Sequence, residues 1–161
     1  MTELNSPNSA AALINRLVAA RMTMGVAESL TGGLVTATLT SVPGASAVIR
    51  GGVVAYSAAV KESLLHVSHE AIAQGVVTET VALQMALGVR KILDVDISVS
   101  CTGVAGPGDQ DGIRQGTVWI AGASKTYQGA HLCQFEGDRE QIRDLTVEHI
   151  IDFAHDRLFS G

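Results

Sequence analysis

Cysteine and aromatic residues are scarce in this chain, and an excess of positive charge is missing altogether. Its 161 residues include two cysteines, Cys101 and Cys133, and aromatics make up only 4%. The cysteines form neither a CxxC pair nor a disulfide framework, and both fall in predicted strands, where a buried free thiol is expected. A formal charge of −5 offers no global attraction to nucleic acid or to an anionic membrane, so neither is expected as a partner. No stretch approaches the roughly 18 apolar residues that a membrane span requires. The polar start, Met1 to Ser9, lacks a basic segment followed by an apolar one, which predicts no signal peptide and a cytoplasmic protein. Residues 1–8 are expected to be flexible. No HExxH motif, internal repeat, low-complexity segment or linker is present.

What the chain does have is aliphatic bulk. Hydrophobic residues make up 47%, mainly Ala, Val, Leu and Ile, which suits one closely packed α/β domain. A chain of this size buries roughly two-thirds of its unfolded surface. Leu13, Ile14, Leu17 and Val18 predict a first helix from about Ser9 to Arg21. Met22 to Val26 reads as a buried strand, and Leu34 to Leu39 as a helix that stops before Pro43-Gly44. Ala47 to Tyr56 reads as a long strand, with a bulge or bend at Gly51-Gly52. A short helix carrying Lys61, Leu64 and Leu65 follows, then a turn capped by Ser68. Thr78 opens an amphipathic helix with Val81, Ala82, Met85, Val89, Ile92 and Leu93 on one side.

Asp96 to Cys101 is a compact strand, and Gly116 to Ala123 pairs with Ala130 to Phe135 as an antiparallel hairpin. Asp138 and Gln141 resemble a capping box, and Ile142, Leu145, Ile150, Phe153 and Leu158 give the last helix its core face. The order α-β-α-β-α-α-β-β-β-α predicts a three-layer α/β/α sandwich around a mixed, mostly parallel sheet of about five strands.

Three predicted strand ends carry small and polar residues, and ligands in open α/β sheets sit at the carboxyl ends of strands. The first runs into Ala27-Glu28-Ser29-Leu30-Thr31-Gly32-Gly33, where a strand becomes a helix. Such a turn presents free N–H groups and a helix dipole to a carboxylate, phosphate or oxyanion. The plainer alternative is that Ser29 or Thr31 only caps the helix. The second strand ends in Tyr56-Ser57 with Lys61 one helical turn on, and the third in Thr102-Gly103 with Gly106. If these strands are parallel neighbours, the three clusters converge. A serine hydroxyl needs a base to become a nucleophile, and a lysine can serve only if burial or a positive neighbour lowers its pKa from about 10.4. Tyr56 could relay the proton or hold the lysine.

Rival motifs fail. Gly103 to Gly108 has P-loop spacing, but Asp109 stands where the lysine belongs. Ser29 lacks the glycines of a GxSxG elbow, and Ser57 to Lys61 is one residue too long for SxxK. His66 and His69 read as exposed helix-end residues, and Cys101 as a structural thiol rather than a nucleophile. Arg139 and Arg143, one turn apart, either clamp a phosphate or form a solvated face.

Together these motifs, with Gly116-Thr117-Val118 and Gly137-Asp138-Arg139, resemble the CinA C-terminal-domain family from about Ala10 to Leu158. The resemblance implies a nicotinamide-nucleotide amidohydrolase, which converts nicotinamide mononucleotide and water to nicotinate mononucleotide and ammonia. It implies Ser29 as nucleophile and Lys61 as general base, supported by Tyr56 and Thr102. Thr31, Gly32, Gly33, Gly103 and Gly106 would form the substrate pocket, and Arg143 would bind the nucleotide. No metal or other cofactor is implied. A homodimer or higher homo-oligomer is expected, from the resemblance and from the positive mean hydropathy of +0.28. The chain departs from the family pattern in two places. Ala58-Ala59 replaces the usual Asn-Glu, and Ile113-Arg114-Gln115-Gly116 replaces Lys-Pro-Val-Gly, with Arg114 a candidate to supply the missing charge. The alternative reading these departures motivate is a nucleotide-binding or regulatory module with weakened turnover.

Overall fold

The computed structural model describes residues 7–159. Helix α1 spans Pro7–Ala20, and proline suits that first position because its missing N–H would have no helical partner. The chain is therefore already helical at Pro7, and the expectation of flexibility for residues 1–6 lies outside the described residues. Ala10, Leu13, Ile14 and Leu17 form the buried stripe of α1, whereas Val18 lies one position round the helix and is 48% exposed, contrary to expectation.

Strand β1 is Met24–Glu28, two residues later than the sequence suggests. Thr23 is held out of the strand by Asp96, whose carboxylate accepts from the Thr23 N–H at 2.7 Å and hydroxyl at 2.9 Å. Helix α2 (Leu34–Thr40) follows, then a 3-10 turn (Ala45–Ala47) and strand β2 (Ile49–Val54). The expected long strand is thus shorter at both ends. Its irregularity falls where the glycine pair lies. Met24 faces Ile49 but Gly25 faces Gly51, so Arg50 is the extra residue of a bulge.

Three helices come next: α3 (Ala58–Leu65), α4 (His69–Ala73) and α5 (Glu79–Leu93). Ile92, expected in the apolar face of α5, is 43% exposed. Strand β3 (Ile97–Gly103) leads to the antiparallel pair β4 (Thr117–Ala123) and β5 (Gln128–Gln134). Helix α6 (Arg139–Arg157) closes the chain, and its capping box is present as expected, with Asp138 and Gln141 bonding reciprocally.

The five strands form one mixed sheet in the order β2-β1-β3-β4-β5, with β1 parallel to both β2 and β3. Helices lie on both faces, so the expected α/β/α sandwich is the observed fold. In β3 the side chains alternate cleanly between layers. Ile97, Val99 and Cys101 join the core formed with α1, α2 and α6. Ser98 and Ser100 point the other way, donating to the Ala86 and Ala82 carbonyls of α5 at 2.6 and 2.5 Å. Buried hydroxyls need such partners, and these two clamp α5 to the sheet. Among the described residues, no helix is long and apolar enough to cross a membrane.

Helix α5 also fixes the position of α3. A Cβ on Gly88 would lie 2.0 Å from the backbone carbonyl oxygen of Leu65, at the end of α3. That oxygen cannot rotate away as a side chain could. Gly88→Ala is therefore expected to destabilise the protein by about 2 kcal/mol, the overlap outweighing the ~1 kcal/mol of helix propensity gained. Urea denaturation checks this, and an unchanged midpoint would mean that α3 can move off α5 freely.

Candidate active site

The parallel arrangement of β1, β2 and β3 brings their carboxyl ends together, as the three motif clusters require. At the end of β1, the Glu28 carbonyl accepts from the Ala55 N–H at 2.8 Å, and the chain then turns through Ser29 to Gly33. Gly33 has φ +107, a left-handed conformation that disfavours residues with a Cβ, and it offers no side chain to cap α2. The cap comes instead from Glu28. Its carboxylate accepts from the N–H of Val35 at 2.8 Å, from the N–H of Thr36 at 3.0 Å and from the Thr36 hydroxyl at 2.7 Å. The anion seat that the sequence suggests for a ligand is therefore filled by the chain's own buried carboxylate.

Two further side chains, Cys101 and Arg143, hold this turn. Thr31, fully buried, shares a hydrogen bond with the Cys101 thiol at 3.2 Å. Burial pushes that thiol up to about 11, so it stays neutral at physiological pH. From α6, Arg143 donates through Nε to the Leu30 carbonyl at 3.0 Å and through its terminal nitrogen to the Thr31 carbonyl at 3.1 Å. Thr31, Gly32, Gly33 and Arg143, expected as pocket residues, thus shape and brace the turn and do not line the cleft.

Ser57 caps α3 by accepting from the Val60 N–H at 3.3 Å. One turn later Lys61, only 2% exposed, points between α3 and the sheet. Its Nζ donates to Ser29 Oγ at 2.9 Å and to the Ala55 carbonyl at 2.8 Å. Among the described residues no carboxylate lies within ion-pair distance of it. Burial therefore pushes Lys61 down to about 8, and a negative charge on Cys101, the one influence that would raise it, is absent while that thiol stays protonated.

Ser29 and Lys61 lie in a cleft of about 600 Å³. Thr102 and Gly103 line it, although the Thr102 hydroxyl is committed to the Val76 carbonyl at 2.7 Å. The loop from Gly106 to Asp111 forms its outer wall, with Tyr56 and Arg139 also lining it. Tyr56 is 62% exposed, and its hydroxyl accepts from Arg139 at 3.1 Å instead of holding the lysine. Arg139 also donates to the Gly106 carbonyl at 2.6 Å. Of the two arginines, then, Arg139 lines the cleft and Arg143 does not. The capping box at Asp138 was the signal that could have separated them, since it puts Arg139 at the very start of α6. Ala58, one of the departures from the family pattern, also lines the cleft. Arg114 does not replace a cleft charge, because it is exposed and paired with Glu136 at 2.6 Å. His66 and His69 are exposed, and no group of three metal-ligating side chains occurs among the described residues.

Comparison with known proteins converges on one family. The family model described as the CinA C-terminal domain matches residues 7–158. A CinA-like protein of Desulfotalea psychrophila is 41% identical over 138 residues, covering 84% of this chain and 33% of its own length. A protein of Lactiplantibacillus plantarum with a provisional competence-damage inducible name is 41% identical over 148 residues, covering 91% of this chain and 35% of its own. The chain thus spans about a third of the curated relatives it matches. Among solved structures, a CinA superfamily protein from Escherichia coli superposes with a TM-score of 0.90 at 31% identity, covering 94% of this chain and 90% of that one. The competence/damage inducible protein CihA from Agrobacterium tumefaciens gives 0.89 at 30% identity, covering 95% and 96%.

Two outcomes follow from this geometry. Glu28→Ala would strip the acceptor from two amides at the start of α2 and is expected to cost about 2–4 kcal/mol, read from thermal or urea unfolding. A change within a few tenths of a kcal/mol would show that water caps α2 equally well. The second concerns Lys61, whose pKa in the folded protein is about 8 against an ordinary value of 10.5. Below pH 8 the lysine is protonated in both states, and the cost of burying its charge is fully present. Between pH 8 and 10.5 the unfolded chain binds more protons, so stability rises with pH. Wild-type protein should gain on Lys61→Met across that window in urea titrations, and a constant difference would mean an unshifted lysine.

Proposed function

This chain belongs to the CinA C-terminal domain family, and from that premise we propose that it is a serine amidohydrolase acting on nicotinamide mononucleotide. The observation that carries the chemistry is the 2.9 Å contact between Lys61 Nζ and Ser29 Oγ, made by a lysine that burial holds at about 8. At pH 7 about a tenth of such lysines are neutral, enough to serve as a base. The Ala55 carbonyl takes one amine hydrogen, which leaves the lone pair of the neutral amine free to accept from the serine.

The reaction then runs in two halves. Ser29 Oγ attacks the carboxamide carbon while its proton passes to Lys61 Nζ. Collapse of the tetrahedral intermediate breaks the C–N bond, and Lys61 returns the proton to the departing nitrogen, which leaves as ammonia. Water takes the vacated place and gives a proton to Lys61 as its oxygen attacks the acyl ester. Ser29 leaves, regains the proton and releases the carboxylate product. A cleft of about 600 Å³ is of the right size for a mononucleotide, and Arg139 is the cleft cation available to its phosphate.

A second reading is a module that binds the nucleotide without turning it over. It is favoured by Ala58 in the cleft lining and by Arg114, which is paired away from the cleft. Ammonia release from nicotinamide mononucleotide by the purified protein separates the two, and binding without ammonia supports the module.

For the enzyme, Ser29→Ala and Lys61→Met are each expected to lower turnover by roughly a thousandfold or more while the fold persists. If Ser29 served only as a hydrogen-bond partner for the buried Lys61 amine, its loss would cost about 1 kcal/mol of stability and leave the rate intact. In wild type, kcat/KM should climb with pH through about 8 and level off above it, because only the neutral amine accepts the serine proton. A flat profile from pH 6 to 9 would remove Lys61 from the role of base.

A further inference from the structure

The outer wall of the cleft is built from segments far apart in the chain, and the Gln115 side chain bonds two of them at once. Residues 108–115 fold back as a miniature hairpin. Gln110 donates its N–H to the Ile113 carbonyl at 3.0 Å and accepts in return at 2.8 Å, with Asp111 and Gly112 at the tip in positive φ. The hairpin is tied to the segment that leads into α6 at Arg114, which pairs with Glu136 across the surface, and at Gln115. Gln115 Oε1 accepts from the Gly108 N–H at 2.6 Å, and its Nε2 donates to the Gly137 carbonyl at 3.0 Å. Its own N–H donates to the Asp109 carboxylate at 2.9 Å. The amide lies so close under Gly106 that a Cβ there would come within 2.4 Å of it.

Gly137 immediately precedes the cap of α6, whose first residue is Arg139, and Arg139 donates to the Gly106 carbonyl. Gln115 therefore joins the wall that faces the ligand to the helix start that carries the rim cation.

We propose that Gln115 is a positioning residue that sets the width of the cleft at its outer wall and the placement of Arg139, and so governs nucleotide affinity. The inference rests on the amidohydrolase reading for its substrate, while the latch itself does not. Ser29 and Lys61 are held at the other end of the cleft by Ala55 and the braced turn. Loosening the wall should therefore weaken binding and spare the chemical step.

The test compares wild type with Gln115→Val and Gln115→Glu by amide hydrogen exchange, by steady-state kinetics on nicotinamide mononucleotide and by equilibrium binding of nicotinate mononucleotide. In Gln115→Val the amides of residues 106–111 should exchange about tenfold faster, as loss of one or two hydrogen bonds implies. KM should rise about five- to tenfold with kcat and its pH midpoint unchanged. Gln115→Glu keeps the acceptor for Gly108 and should leave that amide protected while releasing Gly137. Unchanged exchange in Gln115→Val would overturn the proposal. So would faster exchange with unaltered KM and binding, or a fall in kcat alone. If wild type releases no ammonia, the amidohydrolase reading fails. Exchange and nicotinate mononucleotide binding then still decide on the latch, weaker binding by Gln115→Val supporting it and equal binding refuting it.

Discussion

Burying a primary amine without a carboxylate is costly, and the architecture around the cleft is arranged to hold that state. Lys61 meets two neutral oxygens, those of Ser29 and Ala55, and no compensating charge among the described residues. A nearby carboxylate would hold the amine protonated and spoil it as a base. The one carboxylate at the Ser29 turn, Glu28, is turned away into the start of α2, where two backbone amides and a hydroxyl occupy it. The nearby thiol of Cys101 stays neutral for the same reason that the lysine loses its proton readily: both have been taken out of water.

Holding that amine in place draws on every layer of the fold. The sheet supplies the turn after β1 and the Ala55 carbonyl just beyond β2. Helix α5 fits α3 closely enough that Gly88 leaves no room for a methyl group beside the Leu65 carbonyl. From the opposite layer, Arg143 holds the backbone of the turn by two carbonyls. An arginine suits this task because its planar fork can reach adjacent oxygens at once. The inner end of the cleft is thus rigid by packing and hydrogen bonding from both faces of the sheet. The outer wall is different, a small hairpin and a helix start joined by polar contacts on the surface.

Much of this organisation was legible from residue order. Helix and strand periodicity yields the sandwich, because an apolar run such as Met24 to Ala27 of β1 suits a strand covered on both faces, and helical crossovers force β1, β2 and β3 to run parallel. Parallel strands then place the Ser29, Lys61 and Thr102 clusters at one edge of the sheet. Misplaced details have two causes. Val18 and Ile92 are apolar but sit just off the buried stripes of their helices, and periodicity read from a few positions leaves the edge of a stripe undefined. Strand β1 starts late because Asp96, distant in sequence, captures Thr23.

What the sequence by itself determined is the fold, the family and the convergence of a serine and a lysine cluster, since these follow from hydrophobic periodicity and from the order and spacing of motifs along the chain. The tertiary structure alone decided which polar groups remain available once the chain has folded. It gave the start of α2 to Glu28, the two carbonyls of the turn to Arg143, the rim of the cleft to Arg139 and the base of the outer wall to Gln115. Hydrogen-bond donors and acceptors must find partners as they leave water, and that contest is settled by which groups come within about 3 Å of each other in space. Spacing along the chain reveals local partners such as the Asp138–Gln141 cap, and almost nothing about partners distant in sequence.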